Sequence, residues 1–560
     1  MFIMGLEDSI RKYALQNAVK FNGKANIGAV IGKVLAENPK LKKDMKKLSK
    51  QIHEIIHEVN SLGLKKQREE FEKFGVVKEE AKEKKDIFDI FDIKEDEKVV
   101  TAFPPEPSKY PHIGHAKALF LNYELAKKHN GKFILRFEDT NPKLADKEFY
   151  KIHLDNYEWL RIKPDEIDYA SDHMEEFYEF AKKMIAKSYA YVCQCPQEKI
   201  KKERFEGKEC ACRILLEKEH LKRFEELFKA KEGEMILRLK GYMQHENTTM
   251  RDPALLRIIK HSHPRQGKKY DVWPTYDFEN AVMDGVEGIT HRLRTKEFEL
   301  RNELQNHLQT VLGFNKKTKI YEFARFNLEG VESSGRVIRE LINKKKLMGW
   351  DDPSLTTIVA LKRRGFLPEA IKNFVLSTGI TKTEATLTWD DLIVQNKRIL
   401  DKKTDRYFFI HDTKEIKIEN APEQTVKLKL HPELEGGFRE FKVNDTFYVE
   451  KDDFKKFKNN KIYRLMDCLN FKKKDSKLVF HSLEHEKYKK NGDFIMHWLP
   501  KQKDLVKTEI LMPDKKLIKG IAEPMVKNLK KNDVIQFTRF GFCRLDEKEK
   551  TKLIFWFTHK

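Results

Sequence analysis

The chain has 560 residues, with 111 Lys and Arg against 89 Asp and Glu, a formal net charge of +22 and a pI near 9.3. That length holds about three to five domains of usual size, and six cysteines spread over it argue against a disulfide framework, leaving clustered cysteines to be read as metal ligands. The charge points to a polyanionic partner such as nucleic acid, weighed against a surface that is simply rich in both signs. The opening residues lack the basic and apolar regions of a signal peptide and no later stretch approaches a membrane span, so a cytoplasmic chain with no membrane partner is expected.

In chain order, Leu41, Met45, Leu48, Ile52, Ile55, Val59 and Leu62 alternate four and three residues apart. The spacing predicts a helix that ends near Gly63 and packs through that seam. Residues 65–98 are dense in Lys and Glu, with few apolar positions before Ile87, and read as a solvated helix or linker. Val99 to Phe103 is apolar and β-branched, a buried strand that Pro104, Pro105 and Pro107 must end. Ile113 to His129 suits a helix, Gly131 closes it, and Lys132 to Phe137 returns as a second strand. This βαβ unit favours a parallel sheet with the helix start at the carboxyl end of the first strand. There Gly114 would let a ligand approach the backbone, free N–H groups would favour phosphate, and His112 and His115 could donate to phosphate oxygens.

Further on, Ile152 to Ala190 has helical periodicity, and Cys193, Cys195, Cys210 and Cys212 form two Cys-X-Cys pairs among basic neighbours, enough for a tetrahedral zinc site. Cys468 and Cys543 stand alone in apolar surroundings and read as buried small hydrophobes. Beyond about Leu400, short alternating runs such as Thr425-Val-Lys-Leu-Lys-Leu, separated by Lys, Asn, Asp and Gly turns, suggest β-barrels.

The string Phe103-Pro-Pro-Glu-Pro-Ser-Lys-Tyr-Pro-His-Ile-Gly-His-Ala, with Arg136-Phe-Glu-Asp-Thr-Asn, Trp273-Pro-Thr-Tyr-Asp-Phe, Gly288-Ile-Thr-His-Arg-Leu-Arg and Tyr321-Glu-Phe-Ala-Arg-Phe-Asn-Leu-Glu-Gly, resembles the class I aminoacyl-tRNA synthetases of the glutamyl and glutaminyl branch. The N-terminal region and the late barrel strings are similar to those of the archaeal glutamyl type. The resemblance implies a multidomain chain, with an α/β Rossmann-like class I catalytic domain, an α-helical N-terminal appendage, a helical stem-contact region and C-terminal antiparallel β-barrels. Its expected parts are an appendage and linker (1–95), the first catalytic half (96–190), an acceptor-end-binding insertion with a zinc knuckle (191–268), the second catalytic half (269–330), a stem-contact region with a mobile ATP loop (331–400) and two anticodon-binding barrels (401–560).

The implied reaction is ATP- and Mg2+-dependent activation of glutamate and its transfer to the 3′ end of tRNA(Glu), with tRNA(Gln) as a further acceptor, by a monomer. Glutaminyl-tRNA synthetase and a non-catalytic tRNA-binding paralogue are the alternatives. By family position His112, His115 and Arg336 are catalytic. Glu106, Pro107, Ser108, Gly114, Lys117, Arg325 and Phe326 join them around ATP. Glu138 and Tyr276 recognise the amino group, and Arg294 clamps the side-chain carboxylate, because an amide ligand beside a buried arginine would leave that charge unpaired. Two positions depart from the pattern. The mobile-loop string Val331-Glu-Ser-Ser-Gly-Arg lacks its usual lysine, leaving Arg336 as the nearest cation. Ala102 replaces a usual strand arginine, so weaker substrate binding, cover by another cation and an altered activity all stay open; Lys109, replacing a usual glycine, could compensate or lie on the surface.

Overall fold

The computed structural model describes residues 5–20, 23–74, 86–94 and 96–560. The chain divides into two compact units, Met1–Phe91 and Asp92–Lys560. The first is helical, with helices Leu6–Lys20, Ile27–Glu37, Met45–Ser61 and Leu64–Glu72. Leu48, Ile52, Ile55 and Val59 bury the expected seam against Ile10, Ala14, Val30 and Val34, while Met45 at the helix start is 37% exposed. Leu64–Glu72 is more than a solvated linker. Gln67 is fully buried in it, its amide donating to the carbonyls of Gly23, Val59 and Leu62. The remaining linker expectation falls partly on residues 75–85 and 95, outside the described residues.

In the second unit β1 (Val100–Phe103), helix Ile113–Lys128, β2 (Lys132–Phe137) and β3 (Glu166–Tyr169) build one side of a parallel sheet. The chain then leaves it for an antiparallel sheet of β4 (Ala190–Cys193), β5 (Ile236–Leu239), β6 (Ala254–Ile258) and β7 (Val272–Pro274). That sheet runs past the expected limit at 268 because Val272 and Trp273 are wholly buried in its core. The chain returns as β8 (His291–Thr295) and β9 (Lys319–Phe323), giving the order β3-β2-β1-β8-β9 with every neighbour parallel. The order reverses between β1 and β8, which opens a crevice at their carboxyl ends.

Helices Ile358–Arg364, Pro368–Ser377 and Trp389–Leu400 follow, with Ile358, Leu361, Ile371 and Leu392 sharing one core with Phe120 and Phe133 of the βαβ unit. The last part holds two seven-stranded sheets over separate aromatic cores, one around Phe447, Tyr463 and Trp498, the other around Phe409, Phe537 and Phe555. Most neighbours are antiparallel, with parallel seams where Thr413–Glu419 meets Lys477–Ser482, Val506–Leu511 meets Lys552–His559, Arg406–Tyr407 meets Val534–Phe537 and Ile462–Leu465 meets Gly492–Met496. Among the described residues no helix is long and apolar enough to cross a membrane.

Candidate active site and metal cluster

Four strand ends converge at the crevice: the loop after β1 carries Glu106 to His112, Glu138 follows β2, Arg294 lies near the end of β8, and Ala324 and Arg325 follow β9. His112 caps the helix that starts at Ile113. Its Nδ1 accepts from Gly114 N at 3.0 Å, and His115 Nδ1 accepts from His112 N at 3.1 Å. Because both Nδ1 atoms accept backbone protons, each neutral ring carries its proton on Nε2. Burial pulls His112 down to about 3, with Lys109 and Arg325 adding to the effect, and burial likewise drives His115 well below its ordinary value. The pair is thus two neutral N–H donors, not two cations.

The cap changes the expected role of the backbone. Ile113 N donates to Thr356 O, Gly114 N to His112 and Ala116 N to His112 O, so these amides are satisfied internally and the imidazoles are the donors left for an anion. Gly114 is needed for the cap itself, since a Cβ there would lie 2.8 Å from His112 Cε1.

Beside this pair lies a buried lattice of acids and arginines. Arg136 meets Asp284 at 3.1 Å and also Glu287, while Arg292 meets Asp284 at 3.0 Å. Glu138 is drawn in 3.9 Å from Arg136, and its Oε1 is buried with no hydrogen-bond partner. Burial holds the Glu138 carboxyl above its usual range against the pull of Arg292 and Arg136. Oε1 is enclosed against Arg136, and the Glu138 side chain, 12% exposed, offers an incoming ammonium the rest of its carboxylate.

Arg294 differs from the other two arginines. It is 7% exposed, and its guanidinium donates to Asn302 Oδ1, 3.1 Å from Nε, and also interacts with the Tyr276 side chain; Asn302 in turn donates to Glu322. Among the described residues no carboxylate lies within ion-pair distance of it. Burial pulls its pKa down, opposed by Tyr276, whose ring stacks on Phe298 at 5.2 Å. A buried guanidinium held by an amide oxygen and lacking a counter-charge is a site prepared for an anion.

Residues 98–402 match the family described as tRNA synthetases class I (E and Q), catalytic domain, and residues 404–483 and 495–546 match its anti-codon binding domains. The chain belongs to the class I (E and Q) tRNA synthetases. Among its relatives are the "Glutamate--tRNA ligase" of Pyrococcus furiosus, 39% identical over 579 residues, and that of Methanothermobacter marburgensis, 37% identical over 559 residues, each alignment covering 100% of both chains.

In this class I synthetase Ala102, wholly buried against Val100, Ile134 and Ile289, is part of the sheet core. Lys109 is on the histidine side, its chain against Gly335. Lys117 is buried with Nζ on Ala324 O at 3.1 Å and over the Phe323 ring, so it positions the β9 exit. Arg325 at that exit is exposed and paired with Glu297. The Phe326 side chain packs edge-on against Phe374 in the core. Ser108 donates to Glu106 at 2.6 Å, and Pro107 O accepts from Asp146 N. Of the expected mobile-loop string, residues 331–334 are loop and Gly335 and Arg336 open the helix Gly335–Asn343, with Arg336 exposed on its first turn and Arg339 donating to Ser108 O at 3.2 Å.

The four expected thiols converge: the Sγ atoms lie within 4.8 Å of one another, with Cys193–Cys210 at 3.6 Å, Cys195–Cys210 at 3.5 Å and Cys195–Cys212 at 3.9 Å. Tetrahedral zinc with bonds of about 2.3 Å has edges of about 3.8 Å, so the donor set fits that ion. Asp252 braces the cluster's surroundings, accepting from Tyr191 OH at 2.8 Å and Gly241 N at 2.7 Å and pairing with Arg213. Cys468 and Cys543 are buried apart from it. Sequence reasoning missed Asn302, Asp284, Glu287 and Arg339. All four read as ordinary surface polar residues, and only the fold brings them to the crevice.

Proposed function

We propose that the chain is a glutamate–tRNA ligase, and the observation that carries the reading is the buried Arg294 without a counter-charge. Glutamate offers two carboxylates and one ammonium. Arg294 takes the distal carboxylate, the Glu138 carboxylate and the Tyr276 side take the ammonium, and the α-carboxylate is left to face the histidine pair. Glutamine at Arg294 would leave a buried charge unpaired, at a cost of several kcal/mol.

In the first step an α-carboxylate oxygen bonds to the ATP α-phosphorus, the bond from that phosphorus to the bridging oxygen breaks, and pyrophosphate leaves with the electron pair. The neutral His112 and His115 donate from Nε2 to phosphate oxygens, while Arg336 adds charge from the first turn of its helix. No proton need leave the imidazoles, so they work by electrostatics and positioning. In the second step a terminal ribose hydroxyl of tRNA attacks the carbonyl carbon and AMP leaves. Mg2+ accompanies the ATP phosphates.

Cys193, Cys195, Cys210 and Cys212 would hold a structural zinc that pins the turn Ala211–Ile214 to β4. With four thiolates it has no open position, so it takes no part in the transfer. The setting is cytoplasmic. The test is charging of tRNA(Glu) transcript with labelled glutamate and with labelled glutamine. Glutamate alone should be attached; attachment of glutamine alone would assign the chain to the glutaminyl branch, and tRNA binding without charging would make it a binding paralogue. Running the assay with tRNA(Gln) reads the further acceptor.

A further inference from the structure

The triphosphate end of the site carries a cation that the reading above does not use. Lys109 lies three residues before His112, and its carbonyl is held by His153 Nε2 at 2.9 Å. The next residue, Tyr110, stacks on Trp350 at 5.1 Å, and Arg339 donates to the carbonyl of the residue before, Ser108. The root of the Lys109 side chain is thus fixed from three directions. The residue is half-buried, and its ammonium has no hydrogen-bond or ion-pair partner among the described residues. It also presses on both imidazoles, ranking after burial among the influences that keep His112 neutral.

The path of that side chain depends on a glycine. A Cβ on Gly335, at the start of the Gly335–Asn343 helix, would stand 3.3 Å from Lys109 Cδ and 3.5 Å from its Cβ. A side chain at 335 would make the Lys109 stem give by a few tenths of an ångström, and a lysine placed there would start in contact with that stem. The two positions are therefore matched: an aliphatic stem occupies the notch that a missing side chain leaves.

Resting on the ATP reading of this crevice, we infer that Lys109 supplies charge to the triphosphate of bound ATP, and that Gly335 is the notch that admits it. As the bond from the α-phosphorus to the bridging oxygen breaks, the electron pair departs on pyrophosphate. The Lys109 ammonium meets that charge while keeping its proton, beside Arg336, which follows Gly335 in the chain. An unpaired ammonium on a half-buried residue, against neutral N–H donors, has an anion as its natural complement.

The test is glutamate- and tRNA-dependent ATP–pyrophosphate exchange by Lys109→Met, Lys109→Gln, Lys109→Arg, Lys109→Gly and the exchange variant Lys109→Gly with Gly335→Lys. Lys109→Met and Lys109→Gln should lower kcat/KM for ATP by about 100-fold, the scale of losing one transition-state donor, with the KM for glutamate within about threefold of wild type. Lys109→Arg should keep at least about a tenth of the wild-type value, and the exchange variant should exceed Lys109→Gly by about tenfold or more, because the charge returns from the other side of the notch. A merely structural lysine would not be replaced by one on a different helix. Either neutral variant within about threefold of wild type, or an exchange variant no better than Lys109→Gly with an unchanged melting curve, overturns the inference while leaving the ATP reading intact. A wild-type chain with no exchange activity overturns both.

Discussion

Arg294→Cys separates charge recognition from packing. Arg294 is 7% exposed, and its guanidinium is held by Asn302 Oδ1, itself braced through Glu322, and by the neutral side chains of Tyr276 and Phe298. In the free protein the charge is desolvated without a counter-ion, so removing it relieves that cost while opening space and orphaning Asn302; the melting temperature should move by only a few degrees, about 1 kcal/mol in either direction. In the complex the same change leaves the ligand's distal carboxylate buried and unpaired. Breaking a buried pair costs about 3–5 kcal/mol, a fall of about 100- to 5000-fold in kcat/KM for glutamate. The KM for ATP should stay within about threefold, since the histidine pair and Lys109 are untouched. The assay is pyrophosphate exchange against varied glutamate at saturating ATP. A variant within about fivefold of wild type for glutamate would refute the clamp, and an equal loss for both substrates would mean that Arg294 holds the crevice together and does not read the amino acid.

The His112 ring, pulled down to about 3 by burial, is neutral above about pH 4, so kcat/KM for ATP should show no imidazole limb between about pH 6 and 8; a limb near 6.5 that disappears in His112→Asn would contradict the fixed Nε2 tautomer. Phe326→Ala should lower stability by about 3 kcal/mol or more, because its ring packs on Phe374. If ATP affinity fell in that variant at an unchanged denaturation midpoint, the ring would belong to the nucleotide site instead. Native protein should carry about one zinc, with Cys212→Ser losing most of it, as read by elemental mass spectrometry; substantially less than one zinc in the wild type removes the metal assignment.

Much of this was legible because it depends on short-range pattern. The apolar run at 99–103, the helix from Ile113 and the seam from Leu48 to Val59 repeat at the periods of strand and helix, and the four thiols announce themselves in two pairs. What escaped depends on distance in the chain. Arg136 and Asp284 are 148 residues apart, and only the parallel pairing of β1 with β2 and β8 brings their layers together. The backbone amides that the sequence offered to phosphate are used by the cap, which leaves the imidazoles as the donors. Phe326 was expected at the nucleotide by its position in a string, but the three-residue strand Phe326–Leu328 turns its ring toward Phe374. The match of Lys109 to Gly335 lies between a loop and a helix start 226 positions apart, so neither position alone carries a signal.

The most direct measurement is a crystal structure of the protein with glutamate and a non-hydrolysable ATP analogue. The account predicts the distal carboxylate paired with the Arg294 guanidinium and the ammonium on the Glu138 carboxylate. A distal carboxylate that instead faces solvent, with Arg294 still held only by protein side chains, would contradict it.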